Sequence, residues 1–221
     1  MLTPTSHTVN TQLLKDACNE LPEGGMKTSI NRPTGNFFYD AWELKDEYKG
    51  TVWEVLYNSL PEEKGEARII ILDPGHSYTS HADIDDRFHL NILGNQAYII
   101  DLDNKKMFQL IPDGIWYDMN AGLIHVASNF GRVCRIQLVV RKLLKNNQLQ
   151  SPTSVTITTM LGNLDRARFE FDNTISPWLN KANKLGFIND FSYTLERAKF
   201  NIENSKLDSL KLILPVEFKI E

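Results

Sequence analysis

Between Glu66 and Leu143 the chain breaks into short apolar runs, and this one feature narrows the fold more than any other. The runs are "ARIIIL", "RFHLNIL", "QAYIIDL", "KMFQLI", "GIWYDM", "GLIHVA" and "RVCRIQLVVRKL", separated by Asp, Asn, Gly and Pro. Segments of this length, rich in β-branched and aromatic residues and punctuated by turn formers, read as strands. With no helical stretch between them, alternating β/α is disfavoured and an all-β sandwich or barrel is expected. Two of the runs alternate cleanly. Phe88, Leu90 and Ile92 oppose Arg87, His89 and Asn91; Cys134, Ile136, Leu138 and Val140 oppose Arg135 and Gln137. Each such strand has an apolar face and a cationic polar face. Taken singly, the polar face reads as solvated; taken together, the two suggest an anion pocket, because the planar Arg fork suits a carboxylate.

The flanks read differently. Leu13, Leu14, Ala17, Cys18 and Leu21 fall on one face of a helix over 10–21. Residues 22–50 read as loop with short strands. "TVWEVLYNSLP" carries a T-x-x-E capping pattern at Thr51 and Glu54 and a stop at Pro61. His7 falls in a terminus expected to fray. The polar stretch 145–154 reads as a linker, dividing a domain over 1–145 from a small α+β region over 150–221. In the latter, "SVTITTM" is expected as strand, and "LDRARFEFDNTI" reads as helix or alternating strand, with helix preferred. "SPWLNKANKLGF" is expected as a second helix, capped by Ser176 with Gly186 at its stop, and strands are expected near "FSYTLERAKF" and "LKLILPVEF".

Bulk properties exclude some functions. The formal net charge of −4 gives no reason to expect nucleic acid or an anionic membrane as partner. The two cysteines, Cys18 and Cys134, form neither a disulfide framework nor a C-x-x-C, so a reducing compartment is expected, and Cys134 reads as a buried, inert thiol. No secretory leader or membrane-length apolar run is read, and a soluble cytoplasmic protein is the expectation.

The chemistry concentrates in "GHSYTSHADIDDRFHLNI", residues 75–92, which holds three histidines, three aspartates and one arginine. His81-Ala82-Asp83 is an H-x-D; in an extended segment its imidazole and carboxylate point to one face and can share a metal. Asp85 and Asp86 are competing carboxylates, and a bulge would favour one of them. His76, in the preceding turn, reads as a loop or substrate-side residue. Non-haem Fe(II) oxygenases pair such an H-x-D with a distant histidine. His125 ends a strand-like run 44 residues on, and Arg135 lies ten beyond it. Trp116 and Tyr117 read as core or as pocket mouth.

Four pieces in order, "DPGHSYTSH", "HAD", "RFHL" and "HVASNFGRVCR", resemble the aspartyl/asparaginyl β-hydroxylase family, which includes the cis-proline hydroxylases. The resemblance spans roughly residues 66–143, about a third of the chain. It implies a mainly β double-stranded β-helix (jelly-roll, cupin-like) core with N-terminal helices and a small C-terminal α+β appendage. It implies a Fe(II)/2-oxoglutarate-dependent dioxygenase that consumes O₂ and hydroxylates an amino acid or an amino-acid side chain in a protein. Carried over, His81, Asp83 and His125 would hold Fe(II), Arg135 would pair with the distal carboxylate of 2-oxoglutarate, and Arg87 and His89 would help bind that co-substrate. Family members that lack the acidic ligand exist; this chain has Asp83, which places it nearer the proline-hydroxylase branch and argues against halogenation. The segments 22–45 and 111–120 are the candidate substrate shell, and the region after 150 could serve a macromolecular substrate or an oligomer. Two other classes stay open: a metal cupin that needs the triad but neither arginine, and a non-enzymatic jelly-roll binding module.

Overall fold

A computed structural model describes residues 1–23, 26–35, 37, 39–83, 85–143, 152–159, 171–184, 187–193, 197–214 and 218–221. The chain divides into two compact units, Met1–Leu143 and Leu144–Glu221.

The first unit is mainly β. Its strands are β1 (Leu2–Thr8), β2 (Lys27–Ser29), β3 (Asn31–Pro33), β4 (Trp42–Leu44), β5 (Lys64–Leu72), β6 (Arg87–Leu93), β7 (Ala97–Asp101), β8 (Lys106–Leu110), β9 (Ile115–Met119), β10 (His125–Asn129) and β11 (Arg135–Lys142), with helices α1 (Thr11–Asn19) and α2 (Val52–Asn58). One sheet runs β1-β9-β6-β11-β5-β2 and a second β10-β7-β8, all antiparallel. The segment 75–81 extends the second sheet beside β10: Tyr78 N–H donates to Ala127 O at 2.9 Å, and His81 and His125 exchange both backbone bonds at 3.1 and 2.9 Å. From β5 onward the chain therefore steps between two four-stranded layers, β9-β6-β11-β5 and (75–81)-β10-β7-β8. That is the double-stranded β-helix expected from the sequence.

The two faces of the larger sheet part ways. Ala67, Ile69, Phe88, Leu90, Ile92, Ile136, Leu138 and Val140 pack outward on Leu14 and Ala17 of α1 and Trp53 and Leu56 of α2. Each Leu or Ile so covered contributes roughly 1.5–3 kcal/mol. Both neighbouring indoles are satisfied, Trp53 Nε1–H on Glu20 O (2.7 Å) and Trp116 Nε1–H on Ser59 Oγ (2.9 Å). With the helices on the apolar face, the polar face of β6 and β11 turns inward, toward the second sheet. The solvated outer face considered for these strands is not what forms.

Several local expectations are corrected. The terminus holding His7 is strand β1, paired with β9, and His7 Nε2 lies 2.7 Å from Glu62 Oε1. Pro4 is tolerated there because β1 is an edge strand. The cap of α2 is shifted by one residue from a standard capping box: Thr51 accepts from Trp53 N–H, and Glu54 accepts from Gly50 N–H.

In the second unit, β12 (Pro152–Thr159), β13 (Ile188–Tyr193), β14 (Arg197–Glu203) and β15 (Phe218–Ile220) form an antiparallel sheet ordered β13-β14-β12-β15, with helices α3 (Ser176–Lys184) and α4 (Asn204–Ile213). Pro152–Ser154, expected in the linker, already belong to β12. A π-helical turn, Phe171–Ile175, runs directly into α3, so Ser176 is not a cap. The rest of the helix expected over 164–175, residues 164–170, lies outside the described residues, as does Gly186. "LKLILPVEF" is not one strand. Leu207, Leu210 and Leu214 recur at helical spacing, and α4 ends just before Leu214, whose extended backbone (ψ 118°) is what a following proline favours.

Candidate metal centre

The paired backbone bonds between His81 and His125 set these residues directly opposite one another on adjacent strands, which sends both side chains to the same side. Their rings lie 4.5 Å apart, centroid to centroid. Asp83 follows two residues after His81, and its N–H donates to Ala121 O at 2.7 Å, which keeps the segment aligned past the end of the bridge. His81 Nδ1 contacts Thr79 O and His125 Nδ1 contacts Leu123 O, both at 2.8 Å. A carbonyl can only accept, so each Nδ1 carries the proton and each Nε2 offers a lone pair. Those Nε2 atoms lie 3.5 and 3.9 Å from Asp83 Oδ2, and one ligand atom from each of the three residues falls within 4.8 Å of the others. Ligands of one ion at ordinary bond lengths sit about 3 Å apart, so small side-chain movements close the set. Two imidazoles and a carboxylate fit the donor set of non-haem Fe(II) sites. The triad His81, Asp83 and His125 could therefore hold a metal ion.

The two imidazoles differ in environment. The Asp83 carboxylate beside His81 raises its pKa, whereas burial lowers that of His125. A metal must displace a proton more often at His81, which is also the more exposed of the pair.

Behind the triad the interior is cationic. Arg135 is 3 % exposed. One of its terminal nitrogens donates to Gln137 Oε1, while Nε and Nη1 have no acceptor among the described residues. Burial brings its pKa down to about 10, so it stays charged at neutral pH. Gly94 (φ +115°) lets the β6–β7 turn close over it; a Cβ there would lie 3.3 Å from Arg135 Cα. The Tyr78 hydroxyl and Gln137 Nε2 are likewise buried without a partner, and the charges acting on Tyr78 are Arg135 and Arg68. His89 is buried beside the Gln137 side chain, with no hydrogen bond of good geometry to either ring nitrogen among the described residues. Burial first, then Arg135, Arg87 and His125, hold its pKa well below the ordinary range, so it is neutral.

Arg87 lies elsewhere in this interior than Arg135. Its Nη2 sits 2.7 Å from Asp83 Oδ1 and its Nε 3.4 Å from Asp85 Oδ2. Asp85, the rival carboxylate, turns from the triad to Arg141, with contacts of 2.6 and 2.9 Å. Asp86 accepts from Ala121 N–H. His76 is exposed, with Nδ1 on Pro74 O. Trp116 is core on the helix side; Tyr117 faces inward and donates to Asp113, and burial raises its pKa to about 12. Cys134 packs partly against the outer core. Tyr78 was missed because 78–80 is not regular strand, so period-two counting back from His81 puts it on the wrong face.

The neutral state of His89 has a consequence for stability. Its folded pKa lies below its unfolded one, so the unfolded chain binds the extra proton first and stability falls as pH drops below about 6.5. His125 adds in the same direction; His81, raised, opposes. Urea midpoints of the chelator-treated protein are expected to fall from pH 7 to 5.5, at up to about 1.4 kcal/mol per unit for one such histidine. His89→Gln should flatten at least half of that slope. An unchanged slope would show that His89 accepts a proton in the fold.

No family model matches the sequence, and no curated protein does. Distant likenesses are found among solved structures. A prolyl-4-hydroxylase from Pseudomonas putida aligns over 63 % of this chain and 85 % of its own at 15 % identity, with a TM-score of 0.37. A cupin domain from Bordetella pertussis aligns over 37 % and 84 % at 15 % identity and 0.32, and a cupin superfamily protein from Desulfitobacterium hafniense over 56 % and 85 % at 14 % and 0.33. Likeness at this level carries no functional argument. No helix among the described residues is long and apolar enough to cross a membrane. What stands on the geometry is a jelly-roll with a His-Asp-His group able to hold a metal, backed by a buried cation with no acid partner among the described residues.

Proposed function

We propose that this protein is a Fe(II)- and 2-oxoglutarate-dependent dioxygenase that hydroxylates an unactivated C–H of an amino acid or of an amino-acid side chain in a protein. The observation that carries the reading is Arg135. A buried guanidinium with two unsatisfied donors costs several kcal/mol unless an anion joins it, and no carboxylate among the described residues does. A metal cupin without an anionic co-substrate has no use for this residue. Tyr78 O–H and Gln137 Nε2 add two more buried donors. Neutral His89 adds no charge, so the pocket suits one carboxylate.

In this reading His81, Asp83 and His125 hold Fe(II), and Arg135 with Tyr78 and Gln137 holds the distal carboxylate of 2-oxoglutarate. Bound there, the iron supplies O₂ activation, coupling oxidative decarboxylation of the keto acid to oxygen insertion into the substrate. The protein orients the co-substrate through Arg135 and keeps bulk water out of the inner pocket.

The test is anaerobic titration with Fe(II) and then 2-oxoglutarate, following the weak visible charge-transfer band of a chelated keto acid. Wild type should show the band and Asp83→Ala should lose it. Fe(II) binding without a band would point to a metal cupin; absence of metal binding would point to a binding module. Either result overturns the proposal.

A further inference from the structure

Among the described interior arginines of the first unit, Arg135 is the one without an acid partner, though Arg68 Nε also lacks a hydrogen bond. The other three are joined to three acids in one continuous series. Arg68 Nε lies 3.5 Å from Glu66 Oε2, and Arg141 Nη1 lies 4.0 Å from the same oxygen. Arg141 grips Asp85 with two nitrogens, at 2.6 and 2.9 Å. Arg87 Nε lies 3.4 Å from Asp85 Oδ2, and Arg87 Nη2 lies 2.7 Å from Asp83 Oδ1. The series starts on β5, crosses β11 and β6, and ends on the carboxylate of the metal triad. Its charges cancel, three positive against three negative, so it is not a site awaiting an anion.

Stability alone does not account for it. Removing six ionised groups from water is expensive, and buried ion pairs replaced by apolar side chains of similar volume are often neutral or more stable. What apolar residues could not do is aim Asp83. Its Oδ1 faces Arg87, while its Oδ2 faces both imidazole Nε2 atoms.

We propose that Arg87 is a positioning residue for the metal: it holds Asp83 Oδ1, so that Oδ2 alone is offered to the ion, and the Asp85–Arg141 pair fixes Arg87 in that posture. The inference rests on the metal-centre reading and adds a reason for the geometry. A carboxylate binding through both oxygens would cover more of the ion; binding through one would leave more of it open to a co-substrate. Arg87 thus acts through Asp83 rather than on the co-substrate. Partners that orient a metal ligand typically change metal affinity 10- to 100-fold when lost.

The experiment uses the full chain with Co(II) as probe, read by chelator competition and by the visible spectrum of bound Co(II), which reports the ligating oxygens. Arg87→Gln should weaken Co(II) binding about 10- to 100-fold and shift the spectrum. Arg87→Lys, which offers a point contact in place of a fork, should fall between the two. Asp85→Asn never touches the metal, yet should move affinity and spectrum the same way by a smaller factor. If Arg87→Gln does not fold, Asp85→Asn carries the test. Wild-type affinity and spectrum in whichever of these variants folds, with only the unfolding temperature lowered, would show the series to be structural and overturn the proposal. Failure of the wild-type chain to bind Co(II) would instead sink the metal centre itself. Tight Co(II) binding without a keto-acid band would sink only the co-substrate reading.

Discussion

Arg135→Met is expected to have two opposite effects, weaker co-substrate binding and a more stable apoprotein. Truncating one partner of a buried charged pair costs about 2–5 kcal/mol of binding. At about 1.4 kcal/mol per factor of ten, the 2-oxoglutarate requirement should rise roughly 30- to 4,000-fold. Fe(II) affinity should hold, because Arg135 lies outside the His81, Asp83 and His125 set. The apoprotein should gain about 1–3 kcal/mol against urea, since an unsatisfied buried donor carries its full desolvation cost. Nε and Nη1 of Arg135 are two of them. The gain is reduced by the hydrogen bond that Gln137 loses. Methionine fills most of the vacated volume without a polar atom, so a cavity does not mask the effect. A keto-acid titration and a pair of urea curves check both parts. A variant that is clearly less stable and binds 2-oxoglutarate as wild type would mean that Arg135 is a structural cation. An unchanged apoprotein with weakened co-substrate would keep the function and remove the argument from strain.

Much of the architecture was legible because the runs after Glu66 are short, β-branched and interrupted, a pattern that few folds other than an antiparallel sandwich can absorb. The triad was legible for a more local reason. His81 and Asp83 are two apart, so any extended segment aims them together; His125, expected at the end of a strand-like run, instead begins β10, and its bridge to His81 brings it in. The direction of the polar faces was not legible. An alternating strand states which residues share a face, not which face is covered, and covering came from α1 and α2, far upstream. The same limit hid the acid partners of the arginines. Glu66, Asp85 and Arg141 meet across three elements, and nothing in local spacing joins residue 85 to residue 141. β1 escaped notice because an edge strand carrying Pro4 and mixed polarity looks like a tail. Helix α4 did so because "LKLIL" satisfies a strand on composition while Leu207, Leu210 and Leu214 satisfy a helix on period.

Asp85→Ala should be the most damaging single change in the interior. Asp85 is 2 % exposed and joins two arginines, with Arg141 held by both oxygens. Removing one partner from a buried ion pair costs about 3–5 kcal/mol, because the surviving charges stay desolvated. Two cations survive: Arg87 keeps Asp83 Oδ1 at 2.7 Å, and Arg141 keeps Glu66 Oε2 at 4.0 Å. Chemical denaturation should therefore show a loss within that range. Asp85→Asn keeps an acceptor oxygen and should lose less. The pair variant Asp85→Leu/Arg141→Met removes both charges, and its loss should fall well short of the sum of the two single losses. That shortfall is the coupling energy of the pair. Additive losses would mean that Arg141 and Asp85 do not depend on each other, and Arg87 would then have no fixed neighbour behind it. Asp86→Ala is the control. Asp86 gives up one hydrogen bond, from Ala121 N–H, and should cost about 1 kcal/mol. Three carboxylates within four residues thus carry three separate duties, one toward the metal, one toward the arginines and one toward a backbone amide. A spacing rule can name the first, and only the partners drawn in from β6 and β11 distinguish the second.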